Sequence, residues 1–450
     1  MALLDDLRDI VGVTHVLTGD LTVGHRTDWT GRWRGDCLAV VRPARTDEVA
    51  AVVARCVGAG VAVVPQGGNT GLVGGAVPEA GSVVVSTTRL VELGDVDPAV
   101  GQITAGAGIT LAALAQAAER AGWRYPVDFA ARDTATIGGT IATNAGGHHV
   151  LRYGMTRRHV VGVEAVLADG RVLSHLSGLV KDNTGYDLAG LFCGSEGTLG
   201  IVTRARVALV PAGGERAVAL VGLGGLHEVA DAVGQLRRST PEIEALELMT
   251  ADGMAAVARH RGATSPMPDS DVVLLVEVVS RDDPEEVLVA ALDGLDLVES
   301  AVATDRHGMH ELWRWRDSHT EVINAVGPHP PHKFDVSVHP SAMPDLVDGA
   351  ARALRAADPT WRLWVFGHAG DGNLHLNVTG PAPDDAIVDG LVLDLVASLG
   401  GSISAEHGIG RAKRAWLHLA RTPVEIDTFQ TLKSALDPSG LLNPGVLLDR

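Results

Sequence analysis

Lysine is scarce in this sequence. Four lysines (Lys181, Lys333, Lys413 and Lys433) stand among 37 basic residues, against 55 acidic ones, for a formal net charge of −18. A surface that acidic repels polyanions, so neither nucleic acid nor an anionic membrane is expected as a partner. Cysteine is almost missing too. Cys37, Cys56 and Cys193 are odd in number and far apart, which excludes a disulfide framework and suits a reducing compartment. No apolar run approaches the ~18 residues a membrane helix needs. The opening MALLDDLRDI is acidic and amphipathic, unlike the basic start and apolar run of a signal peptide. The expectation is a cytoplasmic protein without integral membrane contact.

What remains is ample core material: 450 residues, 46% of them hydrophobic and 20% charged, enough for two or three domains. TDEVAAVVARCVGAG (46–60) predicts a helix opened by Thr46, with Asp47 and Glu48 favouring its first turn. Short apolar strands follow at GVAVVP and SVVVSTT, and TLAALAQAAERAG (110–122) predicts a helix stopped by Gly122. Beyond PAGGE (211–215) the texture changes. RAVALVGL, LHEVADAVGQLRR and IEALELM give strand, helix, strand, and DVVLLVEVV, PEEVLVAALDGL and LVESAVAT repeat that order. Two such units suggest a ferredoxin-like layer. GPHPPHK (327–333) is a short Pro/His loop.

Two patterns carry chemistry. GHAGDGNLHLN (367–377) lies between strand-like segments with a D-G-N tip, a hairpin signal. A turn centred between Asp371 and Gly372 sets His368 opposite His375, with Cβ atoms roughly 4.5–5.5 Å apart. Two imidazoles so placed suit one metal ion, which needs a third ligand; two ordinary strand histidines fit the spacing as well. The second pattern is three stretches dense in Gly, Thr, Asn and Ser: PQGGNTGLVGGAVP (65–78), ARDTATIGGTIATNAGG (131–147) and GLVKDNTGYDLAGLFCGSEGTLGIVT (178–203). Successive backbone N–H groups in such loops cradle a diphosphate without lysine. Small residues also let backbone approach a flat ring. Neither G-x-x-x-x-G-K-[ST] nor G-x-G-x-x-G is present, which removes the nucleoside triphosphatase and standard dinucleotide fingerprints.

These stretches resemble the FAD domain of vanillyl-alcohol oxidase and p-cresol methylhydroxylase type flavoproteins. The nearest branch is that of the FAD-linked D-2-hydroxyacid dehydrogenases, which act on D-lactate, glycolate or D-2-hydroxyglutarate, and within it the D-2-hydroxyglutarate enzymes. The likeness runs from about residue 30 to LKSALDPSGLLNPGVLL (432–448). It implies an α+β chain: a two-part FAD-binding domain of p-cresol methylhydroxylase type (1–212), a ferredoxin-like cap or substrate domain (213–420), and a C-terminal segment (421–450) returning to the first. It further implies noncovalent FAD, with its diphosphate on Gly67, Gly68, Asn69, Thr70 and Gly71. Flavin contacts are implied at Gly138, Gly139, Asn144, Glu196, Gly200, Ile201 and Asn443. His148 and His149 follow NAGG; some relatives carry covalent flavin, but solvated or structural roles are expected here.

The resemblance also joins the hairpin to GSISAEHGIGR (401–411), making Glu406 the third ligand beside His368 and His375. Two imidazoles and a carboxylate suit zinc most simply, and manganese or iron fit the same donors. His407 is then the implied base for a hydroxyl proton. Arg316 and Thr320, one helical turn apart in WRWRDSHTEVI (313–323), hold substrate carboxylate in D-2-hydroxyglutarate relatives, together with Lys333 of HKFDVSV (332–338). Asn377 is a further donor. Relatives read V-S-L-P where this chain reads V-S-V-H-P, so His339 leaves the pocket wall open. The tryptophans Trp313, Trp315, Trp361 and Trp364 are expected in the core. The reading is oxidation of D-2-hydroxyglutarate or D-malate, with D-lactate or glycolate as the nearest rival and a flavin-free metal hydrolase or a substrate-free flavin carrier as remoter ones. An electron-transfer flavoprotein or a quinone-linked carrier is the implied acceptor. Oligomeric state stays open, a homodimer included.

Overall fold

The computed structural model describes residues 2–327, 329–383 and 385–449; Pro328 of the Pro/His loop lies outside the described residues. Two compact units emerge. The first is Met1–Gly147, Tyr153–Ala212 and Glu406–Arg450, and the second is His148–Arg152 and Gly213–Ala405. The chain therefore re-enters the first unit at Glu406, where residue 421 was expected, and lends five residues after NAGG to the second.

The first unit holds two four-stranded sheets. One contains β1 (Val16–Leu17), β2 (Ala39–Val41), β3 (Val63–Gln66) and β4 (Val83–Ser86) in the order β1-β2-β4-β3. The three valine-rich strands β2, β4 and β3 run parallel, and α1 (Thr46–Gly58) is the crossover between β2 and β3. Short, valine-rich strands are what a parallel sheet covered on both faces requires. The other sheet is antiparallel, with β5 (Gln102–Gly106), β6 (Val160–Val166), β7 (Val172–His175) and β8 (Ile201–Ala208) ordered β5-β8-β6-β7. Helices α2 (Leu111–Arg120) and α3 (Ile137–Thr143) pack into its core. The C-terminal segment extends the first sheet: the Asn443 amide donates to Val63 O at 2.8 Å. Lys433 fixes that return by donating to Thr198 O (2.8 Å), Leu442 O (2.6 Å) and Asp437 (2.6 Å). That lysine is structural.

In the second unit the expected strand–helix–strand repeat is present as β9 (Glu215–Leu223), α4 (Leu226–Ser239), β10 (Ile243–Thr250), α5 (Ala251–Arg261), β11 (Val272–Ser280), α6 (Pro284–Leu292) and β12 (Glu299–Ala303). These strands pair in the order β12-β9-β11-β10, the ferredoxin-like arrangement. After α7 (Arg306–Val326) the sheet continues with β13 (His332–Ser337), β14 (Arg362–His368) and β15 (Asn373–Thr379), added beyond β10 in the order β14-β15-β13. The result is one seven-stranded antiparallel sheet. Helices α5 and α7 cover one face, packing Met254, Val257, Trp315 and Ile323 on Leu220, Met249, Leu275, Trp364 and Phe366. Burying each such side chain contributes about 1.5–3 kcal/mol, so this face is rigid ground for the polar groups at its end. Trp315 and Trp364 belong to that core as expected.

Candidate active site

In the first unit the Gly-rich stretches meet. A Cβ on Gly67 would lie 2.4 Å from Thr136 Oγ1, one on Gly68 1.9 Å from Thr134 O, and one on Gly138 2.6 Å from the Ala107 Cβ. Only glycine fits that approach. Thr136 Oγ1 and Asn443 Oδ1 are buried with no hydrogen-bond partner among the described residues. Asn443 Nδ2 meanwhile donates to Gly75 O at 2.9 Å and Glu196 O at 2.7 Å. Buried polar groups left unmatched call for a ligand or water. The non-glycine residues with left-handed backbone among the described ones are Asn69, Asn144, Glu196, Asn443 and Leu447. Four of those five are sequence-expected cofactor residues, and such strain clusters at ligand clamps. The cradle fits FAD.

Glu196 has a second task. Its carboxylate accepts the Ile409 and Gly410 amides, each at 2.8 Å, so it grips the loop that carries Glu406 and His407. Burial raises the Glu196 pKa, partly offset by those two amides. Gly200 packs against Phe192 and Val166 O, and Ile201 lies in the core.

In the second unit the hairpin forms with a register different from the expectation. His368 pairs with Asn373 and His375 with Phe366, because the tip takes four residues, 369–372, closed by Gly372 N donating to His368 O at 3.1 Å. Gly372 sits at φ 78°, a conformation glycine adopts freely. The slip moves the partner of His368 by two residues, from His375 to Asn373, so both histidines keep the same face as diagonal neighbours. Their ring centroids are 5.3 Å apart.

Each imidazole has a buried carboxylate behind it. His368 Nδ1 donates to Glu247 Oε1 at 2.6 Å, and His375 Nδ1 faces Asp335 Oδ1 at 3.8 Å. Glu247 and Asp335 stand directly opposite His368 and His375 in their ladders and are fully buried. A carboxylate on Nδ1 orients the ring and directs the Nε2 lone pair outward, the arrangement that metal-ligating histidines use. Burial alone would raise the Glu247 carboxyl, but His368 and Arg316 hold it well below the usual range. The donor set fits a divalent ion. A second histidine–carboxylate group does not: His149 lies 3.9 Å from Glu244 and 3.7 Å from Glu277. There Arg152 is 3.3 Å from Glu244, Arg216 is 3.1 Å from Glu277, and Trp313 Nε1 donates to Glu277 at 2.7 Å. Two guanidiniums already answer that charge.

Arg316 lies on α7 as expected, buried, with its guanidinium 4.9 Å from the Phe366 ring centre. Thr320, one turn on, is exposed. Lys333 pairs with Asn377 across the ladder and is half-buried, and Asn377 Nδ2 donates to His375 O at 3.2 Å. An amide has two such hydrogens, so one remains for a ligand. His339 is exposed, at the N-cap of the short 3-10 helix Pro340–Ala342. Ala405 N donates to Asp335 O at 3.2 Å, which anchors the residue before Glu406. His148 is also part of this unit, its ring 5.1 Å from Trp313 and 5.9 Å from His368. Burial pushes its pKa down to about 3. The sequence reading missed Glu247, Asp335 and this placement of His148. The available signal for the carboxylates was an acid inside an apolar strand, as in IEALELM, since a buried charge needs a partner.

Known proteins share the fold and the domains of this chain. The FAD-linked oxidase C-terminal domain matches residues 214–447, and the FAD binding domain matches 37–175. The solved structure of p-cresol methylhydroxylase with substrate bound superposes with a TM-score of 0.79 at 17% identity, covering 100% of this chain and 96% of that one. The mitochondrial D-2-hydroxyglutarate dehydrogenase of Bos taurus is 38% identical over 431 residues, 94% of this chain and 78% of that protein. The D-2-hydroxyglutarate dehydrogenase of Xanthomonas citri pv. viticola is 38% identical over 437 residues, covering 94% and 91%. Fold and matched domains are those of an FAD-linked oxidoreductase. With such relatives along nearly its whole length, the chain belongs to the FAD-linked D-2-hydroxyacid dehydrogenase family. Among the described residues no helix is long and apolar enough to cross a membrane.

Proposed function

We propose that this chain oxidises a D-2-hydroxydicarboxylate, D-2-hydroxyglutarate or D-malate, to the 2-oxoacid. The observation that carries the reading is the end of the seven-stranded sheet, where His368, His375 and Asn377 share one face with Lys333, and Arg316 stacks on Phe366 between them. The names of the relatives support the same substrate class. FAD, which the glycine cradle would hold noncovalently, would supply the two-electron acceptor, flavin N5, for the C2 hydride. His368, His375 and Glu406 hold a divalent ion, most simply zinc, which supplies Lewis acidity at the hydroxyl. In support of Glu406, its neighbour Ala405 is pinned to Asp335. His407, next along the loop that Glu196 steadies, takes the hydroxyl proton. Lys333, Arg316 and Thr320 bind the carboxylates, and Asn377 donates its second amide hydrogen. Each charge-assisted contact contributes about 1.5–3 kcal/mol.

The protein is read as working in the cytoplasm, in keeping with three buried, free cysteines. An electron-transfer flavoprotein or a quinone-linked carrier would be the partner that accepts the electrons. The test is a panel of D-2-hydroxyacids with an artificial electron acceptor. The expected order is D-2-hydroxyglutarate or D-malate well ahead of D-lactate and glycolate; colourless protein or no turnover refutes the reading. One observation favours a monocarboxylate as second reading: Arg316 already pairs with Glu247 at 2.6 Å, which reduces the positive charge available for a second carboxylate.

A further inference from the structure

We propose that Glu247 is a positioning residue that sets the metal-facing histidine and the substrate-facing arginine with a single carboxylate. The proposal rests on the function read above and deepens it. Glu247 sits in β10, at a fully buried position directly opposite His368. Its two oxygens are divided between partners from different elements. Oε1 accepts from His368 Nδ1 of β14 at 2.6 Å, and Oε2 accepts from Arg316 Nε of α7 at 2.6 Å. Both distances are those of strong, charge-assisted hydrogen bonds.

Two consequences follow from that division. An ionised carboxylate only accepts, so His368 carries its proton on Nδ1 and presents the Nε2 lone pair. The same carboxylate fixes the Nε edge of Arg316 and seats the guanidinium 4.9 Å from the Phe366 ring centre. Phe366 in turn packs against the His375 ring, 5.1 Å between centroids. The histidine and the arginine therefore cannot shift independently. Glutamine has nearly the same shape but one oxygen and one NH2 group. Its oxygen goes to Arg316, which can only donate, so its NH2 faces His368 Nδ1, which must then become the acceptor.

Glu247→Gln is the test, in the full-length protein with flavin bound. Expected results are unchanged flavin absorbance and circular dichroism, a 10- to 100-fold loss of zinc affinity by chelator competition, and a raised KM for D-2-hydroxyglutarate. A metal-independent measurement accompanies it. In 15N-histidine spectra of the metal-free protein, with His368 assigned through His368→Gln, the wild type should show the Nδ1–H tautomer and Glu247→Gln should not. If Glu247→Gln does not fold, Glu247→Asp replaces it. This variant keeps the charge but is one methylene too short to reach both partners, so zinc affinity and KM should again both move. Unchanged zinc affinity, KM and tautomer, with only a lower thermal midpoint, would overturn the proposal by making the pair purely structural. A wild type that binds no divalent ion, yet whose tautomer still depends on Glu247, refutes the metal-assisted function while leaving the positioning role in place.

Discussion

Replacing Lys333 by methionine tests what decides the substrate. Lys333 is half-buried and opposite Asn377, and burial lowers its pKa from the ordinary lysine value. At about 4 Å and an effective dielectric of ~20, an ammonium and a carboxylate attract by about 4 kcal/mol. Partial exposure discounts this to roughly 2 kcal/mol, which is about 30-fold in kcat/KM at ~1.4 kcal/mol per decade. Methionine keeps the stem and removes the charge. D-Lactate has a methyl where the longer acids carry the second carboxylate, so its rate should fall much less. The assay is kcat/KM for D-2-hydroxyglutarate and D-lactate with one artificial acceptor, wild type against Lys333→Met. Equal losses on both substrates would show that Lys333 grips the carboxylate they share. The pH dependence gives a second check. Because the pKa is lowered, the ammonium is lost earlier as pH rises, so the dicarboxylate-to-lactate ratio should decline at a lower pH than an ordinary lysine near 10.5 would give. Lys333→Met should abolish that decline.

Acid precipitation of the purified yellow protein should release the flavin into the supernatant; flavin retained on the pellet would mean a covalent bond. His375→Ala should strip the divalent ion and most activity but leave FAD bound, since the cradle residues belong to the other compact unit; full metal content by elemental analysis would refute the assignment. Lys433→Met removes the partner of a fully buried Asp437 from a pair whose lysine side chain is 16% exposed, a change that costs on the order of 3–5 kcal/mol. The thermal midpoint should drop and FAD should dissociate more readily, because Leu442 and the adjoining Asn443 lose their tether; an unchanged midpoint would count against the clasp. Burial raises Asp437, but Lys433 and the Leu442 amide hold its pKa below the usual carboxylate range overall. Its stabilisation is therefore present above the ordinary value of about 3.8 and is lost as pH falls through the depressed one.

Local pattern carried much of this fold. The alternation from RAVALVGL to LVESAVAT was enough for the ferredoxin-like order, because a strand buried on both faces is legible as a continuous apolar run. The hairpin was legible in kind and face but not in register, since loop length depends on how Gly372 turns and not on composition. An even slip preserves the face, which is why the two histidines still meet. Glu247 was out of reach for a different reason. Its partners lie 69 and 121 residues away, and no spacing rule connects a strand carboxylate to a helix arginine and a hairpin histidine. The clamp of Glu196 on Ile409 and Gly410 spans more than 210 residues; the glycine-rich stretch around it signalled a ligand, not a loop to be steadied.

The five residues His148–Arg152 bear on how such a protein can be taken apart. They follow the cradle motif in the chain, yet Leu151 packs against Gly370 at the hairpin tip, and His149 and Arg152 answer the charges of Glu244 and Glu277. A module cut as residues 213–405 would leave that pentapeptide behind. Grafting the second unit onto another flavin-domain partner is therefore not a two-cut operation. The exchange has to carry a second, tiny cassette with it, and in naturally shuffled relatives residues 148–152 should track the lineage of the downstream module, not that of the glycine-rich sequence they adjoin.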